Sequence, residues 1–96
     1  MKVVFAPLAR RELRKQVQYL IDHGGTLAAQ RLKSRVMTFV KETLATFPEI
    51  GTPMEHRDLY ETWVPGTQLV IWYRISKTTI EIARVWHAAQ DRSIEP

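Results

Sequence analysis

The seven residues Leu69-Val70-Ile71-Trp72-Tyr73-Arg74-Ile75 constrain this chain more than any other stretch. The run is rich in β-branched and aromatic side chains, the composition of a strand. Apolar residues occupy both alternating sets, so neither face suits water, and the strand is expected at the centre of a sheet rather than at its edge. In a chain of 96 residues, the remaining segments have to supply its neighbours and its cover.

The neighbours are legible on both sides. Residues 59–64 are strand-like, with Tyr60 and Trp63, and Pro65-Gly66 signals the turn that follows. Beyond a short turn at Ser76-Lys77-Thr78-Thr79, residues 79–86 form another strand with Ile80, Ile82 and Val85. A hairpin centred on Lys77-Thr78 sets Arg74 opposite Glu81 as a cross-strand ion pair and Arg84 opposite Ile71, with no obvious partner. The cover comes from the first half. After a short strand over Lys2 to Phe5, Pro7 suits the first turn of a helix, and Ala9, Leu13, Val17, Leu20 and Ile21 fall on one helical stripe. Gly24-Gly25 ends that helix, and Thr26 is placed to cap a second one. The second stripe runs Ala29, Leu32, Val36, Phe39, Val40 and Leu44, with Phe47 just beyond, and Pro48 stops it. Residues 49–57 read as a loop. The expected fold is one α+β domain over residues 1–96, in the order β-α-α-β-β-β, with a helical hairpin packed on a mostly antiparallel sheet. Strand one is expected to run parallel to a later strand, because a helical crossover separates them.

Composition narrows the chemistry. The absence of cysteine removes disulfides, thiolate metal sites and thiol catalysis, and it fits a reducing compartment. No apolar run is long enough for a signal peptide or a membrane span, so the expected location is the cytoplasm, with no membrane partner. Residues 1–46 carry nine Lys/Arg against three Asp/Glu, whereas residues 47–96 carry five against seven. The basic first half, with Arg11, Arg14 and Lys15 on the outer face of the first helix, suits an acidic partner.

Few residues suit catalysis. His23, His56 and His87 show no metal-ligand spacing, and no cofactor or metal is expected. The four glycines match no phosphate-binding loop, and no serine sits in a nucleophile elbow. His87, at the end of the last strand, is the one histidine placed to face a cleft. Arg84 is the better candidate of the two strand arginines for a phosphate or an acidic chain.

Short motifs in the same order coincide with one family. Val4-Phe5-Ala6-Pro7-Leu8-Ala9-Arg10-Arg11-Glu12-Leu13 resembles its first strand and helix start, and Phe47-Pro48-Glu49-Ile50-Gly51-Thr52-Pro53 its segment after helix two. Val64-Pro65-Gly66-Thr67 with Val70-Ile71-Trp72-Tyr73-Arg74-Ile75 is similar to its turn and central strand. Ile80-Glu81-Ile82-Ala83-Arg84-Val85-Trp86-His87-Ala88-Ala89-Gln90-Asp91 is similar to its closing strand. The chain thus resembles the RelE/ParE toxin superfamily of type II toxin–antitoxin systems, and more closely the ParE-type branch. The resemblance implies a toxin held in a hetero-oligomeric complex by a cognate antitoxin. It also implies one of two targets. ParE-like members inhibit DNA gyrase by binding, which here points to Arg84, His87, Gln90 and Arg92 as target contacts. RelE-like members cleave mRNA on the ribosome, which would assign His87, Arg84 and Arg74 to catalysis. Tyr60 and Gln90 stand where many relatives carry arginine, and none of Tyr19, Tyr60 and Tyr73 is C-terminal. These departures lean toward the gyrase reading.

Overall fold

A computed structural model describes residues 1–89; Gln90 and Arg92 lie outside the described residues. The chain runs β1 (Lys2–Phe5), α1 (Pro7–His23), α2 (Thr26–Thr38), β2 (Thr52–Pro53), β3 (Tyr60–Trp63), β4 (Leu69–Ile75) and β5 (Thr79–His87). One sheet holds all five strands in the order β1-β5-β4-β3-β2. β1 runs parallel to β5 and every other pairing is antiparallel, as the element order predicts.

The central strand behaves as its composition demands. Leu69 to Tyr73 are all buried. Leu69, Ile71 and Tyr73 face the helices and join a core with Ala9, Leu13, Val36, Val40, Leu44, Ile80, Ile82 and Val85. Val70 and Trp72 point to the far face, where they pack with Trp86 beneath Met54 and Leu59 of the loop after β2. From Leu69 to Tyr73 neither face of β4 meets water, because a helical layer covers one and a loop covers the other.

Pro7 sits in the first turn of α1, where its missing N–H is no loss. The glycine pair divides its work. Gly24 donates its N–H to the Leu20 carbonyl with an ordinary φ of −121°, while Gly25 takes φ +96° and so needs to be glycine. Gly25 precedes α2 as its cap, and Thr26 opens the helix without a side-chain capping bond, against the sequence expectation. The last turns of the second helical segment, Phe39–Leu44, widen to a π-helix that buries Phe39, Val40 and Leu44. Ile21 and Phe47, expected on the apolar stripes, are exposed, and full burial in α1 stops at Leu13.

The segment after the second helix is pinned by one side chain. The Tyr73 hydroxyl accepts the Gly51 N–H at 2.9 Å and donates to the Pro48 carbonyl at 2.7 Å. Burial pushes the Tyr73 phenol above its ordinary value, so the hydroxyl keeps its proton for the second bond. A side chain on Gly51 would meet that hydroxyl at 2.6 Å and the Glu61 carbonyl at 2.8 Å. Gly51→Ala is therefore expected to destabilise by about 1–3 kcal/mol, the range for forcing an atom into a packed site. A thermal midpoint equal to wild type would show that the loop yields freely.

Candidate functional site

Two surfaces gather the residues singled out by sequence. The first is an open groove between β1 and the helices. Phe5, Leu13, Val17 and Met37 line it, and Arg10, Arg14 and Lys33 stand at it too. Arg14 belongs to the predicted basic set, and Arg11 and Lys15 lie exposed on the same helix. Arg10 and Lys33 were not anticipated. Arg10 is one helical turn before Arg14, and Lys33 reaches the groove only because the hairpin sets α2 beside α1, which no local pattern reveals. β1 is the edge of the sheet. Lys2 and Ala6 give their N–H groups to Thr78 and Ile82, so by strand alternation the backbone of Val3 and Phe5 faces outward. An apolar floor with cationic walls beside an open strand edge fits an extended acidic chain that carries apolar anchors.

The second region is the β4–β5 pair, and here the sheet divides the candidates. Arg74 follows Val70 and Trp72 by alternation onto the far face. It binds Glu81 at 2.8 Å, the predicted cross-strand pair, with Asp58 3.5 Å away. Arg84 lies opposite Trp72, and its guanidinium sits 4.2 Å over the Trp86 ring. His87 follows Val85 to the helical face, in a hollow with Gln16, Tyr19, Leu20 and Leu32. Its Nδ1 accepts the Ala89 N–H at 3.1 Å, which closes the turn after β5. His87 is thus not brought together with Arg74 and Arg84.

Arg84 corrects two expectations. It faces Trp72 rather than Ile71, because the register shifts between Trp72 and Tyr73 and leaves Ala83 as an extra residue on β5. It also has a partner, Glu12 of α1. The Arg84 Nε lies 3.1 and 3.0 Å from the two Glu12 oxygens, and Nη2 bonds Oε2 as well. Glu12 Oε1 further accepts the Val85 N–H at 2.9 Å. The geometry explains why. β1 stops pairing at Ile82, where Ala6 makes the last bond, and the chain turns into α1. Among the described residues no strand lies beside the upper part of this edge of β5, and the Glu12 carboxylate takes the place of a strand carbonyl. The pair is 72 residues apart in sequence, so only the crossover could bring it together. No group of three or more metal-ligating side chains occurs among the described residues.

This layout is that of a known toxin class. Residues 3–92 match the family of the ParE toxin of the type II toxin–antitoxin system, parDE. The chain belongs to that family, within the RelE/ParE superfamily. Among solved structures it is similar to the RelBE2 toxin–antitoxin complex of Mycobacterium tuberculosis, at 30% identity and a TM-score of 0.66, over 90% of this chain and 95% of that one. It also shares the fold of the chromosomal ParDE system of P. aeruginosa, at 15% identity and a TM-score of 0.75, over 91% of this chain and 95% of that one. Comparison with curated protein sequences gives no significant match.

Proposed function

We propose that this toxin inhibits DNA gyrase by binding it, without cutting a substrate, and that a cognate antitoxin silences it by laying an acidic segment in the groove beside β1. The separation of His87 from Arg74 and Arg84 carries the first half. In-line RNA cleavage needs a proton-transfer group and cations around one phosphate. In this chain Arg74 lies on the far face of the sheet from His87, Arg84 is turned to Glu12 at the edge of β5, and each arginine already holds a carboxylate. The groove with Arg10, Arg14 and Lys33 supports the second half.

The purified toxin is expected to inhibit gyrase supercoiling in a titratable way and to leave mRNA on translating ribosomes uncut. His87→Ala should change inhibition only a few-fold. A lost general acid or base would instead lower a reaction by roughly 100- to 10,000-fold. Ribosome-dependent cleavage inside codons, lost in His87→Ala, would overturn the proposal and establish the mRNA endonuclease. The target contacts assigned to Gln90 and Arg92 are tested by ending the chain after Ala89, which keeps the Ala89 bond to His87. Undiminished gyrase inhibition would remove those two residues from the interface.

A further inference from the structure

The far face of β4 and β5 is closed by residues 54–59, the loop between β2 and β3. Met54 and Leu59 pack on Val70, Trp72 and Trp86, and the four residues between them are exposed. One residue anchors both ends of the loop. The Tyr73 hydroxyl holds Gly51 just before β2, and Tyr73 pairs with Tyr60 at the start of β3, their rings stacked 5.4 Å apart. Between those anchors the closure is slight. Met54 gives its N–H to the Leu59 carbonyl at 2.9 Å, Arg57 lies 5.4 Å over the Trp72 ring, and Asp58, with its side chain 90% exposed, is 3.5 Å from Arg74.

Two features act against the closed form. His56 takes φ +62°, a left-handed conformation that is unfavourable for a residue with a Cβ. In the cluster that the loop covers, the Trp86 Nε1–H is buried and has no acceptor among the described residues, whereas the Trp72 indole gives its own N–H to Glu61 at 2.7 Å. A buried donor without a partner favours any state in which water reaches it.

We propose that residues 54–59 form a strap that lifts off the tryptophan face as a unit, on its Tyr73-held ends, while β3, β4 and β5 stay folded. Lifting relieves His56, hydrates the Trp86 N–H and bares Val70, Trp72 and Trp86. The toxin thus alternates between a covered and an uncovered far face, whatever its target.

Hydrogen exchange of the isotope-labelled toxin, followed by NMR, tests this. A donor with no acceptor is protected by its cover alone, so the Trp86 Nε1–H reports the strap. In the wild type, that proton and the Met54 amide should exchange at least about 100-fold faster than the amides of residues 69–73, with almost no dependence on denaturant, because local opening exposes little surface. Ile71→Val loosens the core on the helical face. It should speed the amides of β4 roughly three- to tenfold and leave the Trp86 Nε1–H unchanged. Met54→Ala should speed the Trp86 Nε1–H roughly tenfold, since the strap loses burial that holds it down. If Trp86 exchange shares the denaturant dependence of β4, or is accelerated equally by Ile71→Val, the face is bared only by global unfolding and the proposal is overturned. An unchanged Trp86 rate in Met54→Ala would overturn it as well, because the strap would then not be the cover.

Discussion

Replacing Glu12 by alanine is expected to destabilise the fold by about 3 kcal/mol, the lower end for breaking a largely buried ion pair by removing one partner. For a domain of this size that lowers the thermal midpoint by roughly 12–24 °C. Three losses combine. The Arg84 guanidinium keeps its charge in a site 13% exposed. The Val85 N–H loses its acceptor on an edge that β1 has already left. The link from α1 to the upper half of β5 is cut. Removing both members should cost less than the two single changes added together, because the second deletion takes away the stranded charge left by the first. Strict additivity in that cycle would show that the pair does not act as a unit. Arg74 and Glu81 offer the contrast. They meet at 2.8 Å, a good bond length, but each side chain is 43% exposed. Water screens that pair, so deleting it should move stability by less than about 1 kcal/mol.

The second large effect is expected on partner binding with the fold intact. Reversing Arg11, Arg14 and Lys15 to glutamate turns three exposed cations on α1 into three anions. Exposed charge changes each move stability by less than about 0.5 kcal/mol, so the thermal midpoint should stay close to wild type. If an acidic antitoxin segment lies in the groove, like charges then face each other across the interface. Affinity for the antitoxin should fall about 10- to 100-fold or more, and the fall should shrink as salt is raised. Lys33→Glu on α2 should add to the loss, since it stands at the same groove. Equal affinity of wild type and triple variant at every salt concentration would leave this face a solvated surface and move the antitoxin elsewhere.

The contrast between Arg74 and Arg84 shows where sequence reasoning succeeds and where it stops. The partner of Arg74 lies across a tight hairpin, and counting from the turn finds Glu81 without any knowledge of the tertiary structure. The partner of Arg84 lies 72 residues away on another element. Counting from the same turn also fails there by one residue, because the bulge at Ala83 has no signature in a run of ordinary strand residues. The short β2 strand was hidden for a related reason. The strand is two residues long and one of them is Pro53, which strands disfavour, so it forms only because Glu61 and Tyr60 lie beside it.

The sequence by itself determined the element order apart from β2, the helical hairpin, the central place of β4 and the parallel return of β1, since each follows from apolar periodicity and the glycine and proline residues between runs. It also determined membership of the toxin superfamily, because four motifs keep their order along nearly the whole chain. Tertiary structure alone decided which cations are available. It set Arg10 and Lys33 at the same groove as Arg14, gave Arg84 to Glu12, and put His87 on the opposite face of the sheet from Arg74. The physical reason is that a side chain's face is set by local alternation, whereas its charge environment is set by whatever distant carboxylate or backbone group the crossover brings within hydrogen-bonding distance.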